Sequence, residues 1–335
     1  MKIGVLLVNL GTPSDINIAS VRAYLREFLA DPRVVDLPFF VRYLLLYAVI
    51  LPFRPKQSFE AYKKIWLPSG SPLMVHSENV AQKVSDSLGD NYKVVLAMRY
   101  GAPSIRESLE QLNDCDKIVV QPLFPQYASA TTGSIVEKVY KLIQDKNYIT
   151  PINVLPEFYA DDGFISAYTA TVNKALKGKK IDKIIFSFHG LPVRHITKSG
   201  CQYLCKELSP CPLIGANNKT CYRAQCYATA RLIAKKLGLT DEYYKVSFQS
   251  RLGSTPWIQP YTDNVINELA LDERVRDIAV VCPSFVVDCL ETLEEVGIQA
   301  KSQWHALGGR GFVLIPCIND NEIWIKALVD IIKAS

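Results

Sequence analysis

The chain reads as an α/β protein built from two doubly wound, parallel-sheet halves, and three observations carry that reading. Eight short apolar runs rich in Val and Ile, each bounded by Gly, Pro or Asn, have the composition of buried parallel strands. Stretches of helical periodicity lie between them, and this alternation implies right-handed crossovers. The first four runs and the last four also correspond in order, each with a charged entry, a hydrophobic body and a polar or Gly/Pro exit, so the chain carries an internal repeat.

In the first half the strand runs are KIGVLLVNLG from Lys2, YKVVLAMRYG from Tyr92, DKIVVQPLFPQY from Asp116 and PINVLPEF from Pro151. SIRESLEQLN and TGSIVEKVYKLIQ supply helices between them, and DGFISAYTATVNKAL follows. The second half repeats the plan with DKIIFSFHG, YYKVSFQSRLG, RDIAVVCPSF and FVLIPCIN, with YATARLIAKKL among its helices. NEIWIKALVDIIK, entered through the capping-type Asn319 and Asp320, closes it. The halves are expected at residues 1–165 and 166–335, meeting near 160–180.

Composition narrows the function classes. A chain of 335 residues with 49% apolar and 21% charged residues is an ordinary globular protein, not a disordered one. Its net charge of +5 is too mild for a nucleic-acid partner and suits an anionic small substrate or a membrane surface. No GxGxxG or GxxxxGK[ST] occurs, so phosphate-cradling nucleotide binding is not supported. The opening MKIGVLLVNLG enters a strand at once, without the layout of a signal peptide, which predicts a cytoplasmic protein with reduced thiols.

Between Pro38 and Pro52, FFVRYLLLYAVIL holds a single charge, Arg42. It is too short to span a bilayer, which takes roughly 20 apolar residues. It can be a buried helix, or an amphipathic lip lining an apolar pocket or touching a membrane surface.

In open parallel sheets ligands bind at the carboxyl ends of strands. The exits here present Asn9, Arg99, Tyr100, Gln126 and Tyr127 in the first half, and His189, Gln249, Ser250, Asp288 and Glu291 in the second. His189 ends its strand in SFHGLP, where an imidazole can exchange protons with a cleft or simply be a hydrogen-bonded strand end. In CPSFVVDCLETLEEVG, an α-helix from Asp288 would place Asp288, Glu291 and Glu295 on one face at i, i+3 and i+7. Such a stripe is either a solvated face or a route for a cation. Together with the histidine, it suggests a cleft that handles a divalent metal and protons.

At these residues the chain resembles the ferrochelatase family. The matching stretches run nearly end to end: NLGTP, SGSPL, AMRYG, PLFPQYASATTGS, SFHGLP, FQSRLGSTPW and CPSFVVDCLETLEE, in that order. The resemblance implies a chelatase-like fold of two Rossmann-like halves with four-stranded parallel sheets, and insertion of Fe2+ into protoporphyrin IX to give haem b with release of two protons. It implies that His189 and Glu291 are iron ligands and proton handlers, and that Asp288 and Glu295 form an acidic path. Tyr62, Arg99, Tyr100 and Tyr127 would lie at the porphyrin, and residues 37–53 become the pocket lip. Cys289 stands where some members have a histidine, which removes a proton relay from that position.

Five of nine cysteines fall within residues 197–226, at Cys201, Cys205, Cys211, Cys221 and Cys226. Their spacing, C-x3-C-x5-C-x9-C-x4-C, lacks the paired C-x2-C of common zinc knuckles. Some members of the family carry a 2Fe-2S cluster on such an insertion. The expected ligands are Cys201, Cys205, Cys211 and Cys221 with Cys226 as the spare, and zinc or no metal are the alternatives. Rival functions are coproporphyrin III metallation, chelation of another metal, and a non-catalytic tetrapyrrole or iron carrier. A monomer, with peripheral membrane contact and no nucleic-acid partner, is expected.

Overall fold

The computed structural model describes residues 1–144, 147–201, 210–251, 253 and 255–335. They divide into two compact units, one of Met1–Phe124, Ala128–Glu157 and Ile325–Ser335, the other of Pro125–Tyr127 and Phe158–Trp324. The closing helix, Glu322–Lys333, continues the pattern of the second half in sequence, yet from Ile325 onward it belongs to the first unit.

Every one of the eight apolar runs forms a strand. The first unit holds β1 (Ile3–Gly11), β2 (Tyr92–Tyr100), β3 (Lys117–Pro122) and β4 (Ile152–Val154), in the order β2-β1-β3-β4. The second holds β5 (Lys183–His189), β6 (Tyr244–Gln249), β7 (Asp277–Val281) and β8 (Gly311–Leu314), in the order β6-β5-β7-β8. All pairings are parallel, and the two orders are the same plan used twice. In each sheet the chain winds to one side of the first strand and then crosses to the other. The switch points therefore lie between the carboxyl ends of β1 and β3, and of β5 and β7.

The inner strands β1, β3, β5 and β7 are buried along nearly their whole length because helices cover both faces. In β1, Val5, Leu6, Leu7 and Val8 are all fully buried. On one face Leu6 and Val8 join Ile105 and Leu109, and Ile135, Val139 and Ile143, which come from the helices Ile105–Gln111 and Ser134–Ile143. Burying each such side chain contributes about 1.5–3 kcal/mol. Ser104 and Glu107 cap the first of these helices reciprocally. The second sheet repeats the layout, with Ile185, Ile278 and Val280 against Val265, Ile266, Leu269 and Trp304.

A π-helical segment follows the third strand of each half: Ser129–Gly133 after β3 and Glu291–Ala300 after β7. The second departs from the α-helix expected from Asp288, since it starts at Glu291 and has i→i+5 hydrogen bonds. At the exit of β1, Gly11 has φ +113°, and a Cβ there would stand 1.8 Å from the Tyr100 carbonyl oxygen. Only glycine lets β1 and β2 close up at that point.

Candidate active site at the exit of β5

His189 is the last residue of β5 and lies at the switch point of the second sheet. Its backbone N–H donates to Ser284 Oγ at 3.0 Å, and its carbonyl accepts from the Tyr222 hydroxyl at 2.8 Å. Its ring stands edge-on to Phe285, with centroids 6.2 Å apart. The imidazole Nδ1 is 2.6 Å from the Gly190 carbonyl oxygen. A carbonyl can only accept, so the proton is on Nδ1 and the Nε2 lone pair is left for a proton or a metal ion. Gly190 is itself required, because its N–H donates to the Gln249 carbonyl at 2.7 Å and a Cβ would lie 2.7 Å from that same oxygen.

Glu291 opens the π-helix. Gln249, the last residue of β6, donates from Nε2 to the Glu291 carbonyl at 2.8 Å and accepts from Ser187 Oγ at 2.5 Å. Glu295 lies four residues on, within the same π-helical segment. Glu295 accepts from the Ser250 backbone N–H at 2.7 Å and also from its hydroxyl. Ser250 adopts φ +65°, a conformation costly for a residue other than glycine, and this aims both donors at the carboxylate. Burial pushes the Glu295 carboxyl above the usual range; the Ser250 hydroxyl and the nearby His189 pull it back, and Glu291 raises it further. His189, Glu291 and Glu295 thus share one electrostatic neighbourhood. A polar cavity of about 340 Å³ beside them is lined by Ser250, Arg251, Asp263, Glu295, Gln299 and Gln303.

Asp288 lies elsewhere than the helical spacing placed it. It precedes the π-helix, is 5% exposed, and accepts from the Cys317 N–H at 3.1 Å, Asn319 Nδ2 at 2.8 Å and Thr292 Oγ1 at 3.1 Å. Its own N–H donates to Asn319 Oδ1 at 2.9 Å, so it fastens the loop before the π-helix to the segment after β8. Glu294 is buried and accepts from Gln299 Nε2 at 2.6 Å.

The residues expected at a porphyrin are placed as follows. Tyr127, in the second unit, is half-buried, and its N–H donates to Gln225 Oε1 at 2.7 Å. Tyr62, in the first unit, is buried with its ring edge-on to Trp66. Arg99 donates from Nη2 to Asp31 Oδ2 at 2.6 Å and from Nε to Ser134 Oγ at 2.7 Å. Tyr100 is 0% exposed, and its hydroxyl donates to Asp31 Oδ2 at 2.8 Å. Burial holds that phenol far above its usual pKa, and the Asp31 charge adds to the shift. Tyr100 therefore presents no surface to a ligand; it and Arg99 belong to an internal network around Asp31. Nothing local in the sequence marks Asp31 or Ser134 as their partners, because the contacts cross 68 and 35 residues.

The apolar stretch is not a buried helix. Phe39, Phe40, Leu44 and Phe53 are 56%, 84%, 69% and 76% exposed, whereas Arg42, the one charge, is turned inward and donates to the Leu37 carbonyl at 2.9 Å. Among the described residues no helix is long and apolar enough to cross a membrane.

Of the clustered cysteines, Cys201, Cys211, Cys221 and Cys226 are buried, and Cys205 lies outside the described residues. Burial pushes the Cys211 and Cys226 thiols up; the Arg223 guanidinium pulls Cys211 back, the charge of Cys221 raises both, and that of Cys211 raises Cys226. Among the described residues no three His, Cys, Asp or Glu side chains converge closely enough to hold a metal ion.

Comparison with known proteins adds the following. The family model described as Ferrochelatase matches residues 2–335. A protein of Legionella pneumophila (strain Paris) named Ferrochelatase is 49% identical over 333 residues, which is 99% of each chain. One from Coxiella burnetii (strain CbuK_Q154), also named Ferrochelatase, is 48% identical over 337 residues, covering all of this chain and 94% of the relative. Among solved structures, SirB from Bacillus subtilis with Fe3+ superposes with a TM-score of 0.54 at 12% identity, covering 99% of this chain and 95% of that one. CbiX, described as the terminal enzyme of sirohaem biosynthesis in denitrifying bacteria, gives 0.52 at 13% identity, covering 99% of both chains.

Proposed function

The chain belongs to the ferrochelatase family and is a porphyrin metal chelatase of haem synthesis; from that premise we propose that it inserts Fe2+ into protoporphyrin IX, with His189 and Glu291 at the reacting centre. The carrying observation is the hydrogen bond from His189 Nδ1 to the Gly190 carbonyl, 2.6 Å long, which leaves Nε2 as an acceptor at the switch point. Metallation of a free-base porphyrin replaces two pyrrole protons by one divalent ion, so the site needs a proton acceptor and anionic oxygens that can exchange with the water around the ion. Nε2 supplies the first. The carboxylates of Glu291 and Glu295, four residues apart in the π-helix, supply the second. Glu295, on the wall of the polar cavity, receives the ion, and Glu291 passes it inward.

Asp288 holds the loop that carries these groups and is not part of the ion's path, because its oxygens are already engaged by Cys317, Asn319 and Thr292. Arg99 and Tyr100 act through Asp31 as a rigid support rather than as contacts of the macrocycle. The exposed Phe39, Phe40, Leu44 and Phe53 also suit contact with a membrane surface, where an apolar porphyrin would be collected.

The described residues do not fit the expected 2Fe-2S cluster. Cys201, Cys211, Cys221 and Cys226 are buried, yet among the described residues no three such side chains converge closely enough to hold a metal ion, and Cys205 lies outside them. No step of metallation is routed through such a group.

The test is anaerobic addition of Fe2+ to the protein with protoporphyrin IX or coproporphyrin III, followed by absorption. Protoporphyrin turnover that vanishes in His189→Ala, while fluorescence still reports porphyrin binding, is the expected result. Turnover of coproporphyrin alone would transfer the reading to that substrate, and unchanged turnover in the variant would remove His189 from the mechanism.

A further inference from the structure

The peptide unit at the exit of β5 joins His189 to Gly190, and both of its polar ends are held within the second unit. Its carbonyl accepts from the Tyr222 hydroxyl at 2.8 Å, and its N–H donates to the Gln249 carbonyl at 2.7 Å. The peptide before it is held too, since the His189 N–H donates to Ser284 Oγ at 3.0 Å. Tyr222 opens the helix Tyr222–Leu237 directly after Cys221, at the end of the cysteine-rich segment, and Ser284 follows β7. Both side chains are buried.

A glycine lets the peptide before it swing, because no Cβ restricts its φ. At this exit such a swing has a chemical consequence. The imidazole Nδ1 of His189 is 2.6 Å from the Gly190 carbonyl, and that carbonyl keeps its place only while the peptide before it stays put. We propose that Tyr222 and Ser284 are positioning residues for His189, clamping its main chain so that the Gly190 carbonyl keeps the proton on Nδ1 and leaves Nε2 bare. This rests on the reading of His189 as the proton acceptor. A neutral imidazole carries one N–H and one lone pair. Once the carbonyl drifts, the ring can exchange them, and the fraction able to take a proton at Nε2 falls. The role also gives the cysteine-rich segment a part in the reaction that needs no metal, since the helix that leaves the segment carries the hydroxyl.

The experiment labels the ring nitrogens of the four histidines and reads their tautomers by NMR at a pH where the rings are neutral. The His189 signals are those missing from His189→Ala. Wild type is expected to show a protonated Nδ1 and a bare Nε2. Tyr222→Phe keeps the aromatic ring and loses the donor; it is expected to show both tautomers. Its kcat should fall about tenfold while the KM for protoporphyrin IX stays within about twofold. Folded Tyr222→Phe with the wild-type tautomer overturns the role, because a merely structural tyrosine can lower activity without moving that proton. Mixed tautomers with wild-type kcat overturn the link to catalysis. If Tyr222→Phe does not fold, Ser284→Ala is measured in the same way: mixed tautomers with lowered kcat support the clamp, and the wild-type tautomer overturns it. Wild-type turnover in His189→Ala overturns the reading of His189 itself, and this role with it.

Discussion

Gln249 Nε2 reaches the backbone carbonyl of Glu291 at 2.8 Å, so the strand that flanks His189 also anchors the first turn of the π-helix. One amide thereby ties the first turn of the π-helix to Ser187, two residues before the end of β5. The far side of the same amide accepts from Ser187 and from the Cys282 thiol, which leaves it no freedom to turn.

Gln249→Leu should therefore damage catalysis more than folding. Losing the amide leaves the Glu291 carbonyl and the Ser187 hydroxyl without partners, a cost of about 1–3 kcal/mol each if they stay dry. We expect a melting temperature a few degrees lower and at least a tenfold fall in kcat with porphyrin affinity preserved. A variant with wild-type kcat would show that Glu291 needs no such anchor.

Glu295 makes stability pH-dependent in a calculable direction. Burial raises its folded-state pKa above the ordinary glutamate value, so the native state binds the proton more tightly than the unfolded chain. Its contribution is therefore lost as pH rises from the unfolded pKa through the raised one, and it stays unfavourable above that. Urea unfolding of wild type and Glu295→Gln across that range should show the variant gaining relative stability as pH rises. A constant difference would contradict the shift.

Asp288→Asn separates a structural carboxylate from a metal path. The substitution places a donor against Asn319 Nδ2 or the Cys317 N–H, and should cost about 1–3 kcal/mol in unfolding free energy. The KM for Fe2+ should stay within about twofold of wild type. A large rise in that KM with unaltered stability would return Asp288 to the ion's route.

The outward phenylalanines give a direct binding assay. Replacing Phe40 and Phe53, which are 84% and 76% exposed, by Asp should leave the melting temperature unchanged. Sedimentation with vesicles of mixed zwitterionic and anionic lipid should fall severalfold. Equal sedimentation of variant and wild type would mean that this surface does not touch lipid.

Much of this was readable in the chain. The eight apolar runs became the eight strands, because burial on both faces of a parallel sheet leaves an unmistakable Val- and Ile-rich signature. The repeat foretold two four-stranded parallel sheets, though not their strand order, and SFHG located the end of β5. The π-helix was not readable: Glu291 and Glu295 are four apart in either kind of helix, and nothing in ETLEEVGIQA announces i→i+5 bonding. Asp288 was consequently assigned to a helix that begins three residues later. Arg99 and Tyr100 look like ligand contacts at a strand exit until Asp31 is brought to them from a distant part of the sequence. In the apolar stretch the exposed Phe39, Phe40, Leu44 and Phe53 agree with a lip rather than a buried helix, whereas nothing in the sequence tells that its one arginine, Arg42, faces in.

The π-helical turn after the third strand occurs in both halves, but the two turns differ in kind. Ser129–Gly133 contains no ionisable side chain, whereas Glu291–Ala300 contains three glutamates. A doubled architecture has thus been divided between a copy that titrates and a copy that does not. Replacing a residue of the neutral copy by another neutral one leaves the number of titrating groups unchanged, whereas replacing any of the three glutamates does not.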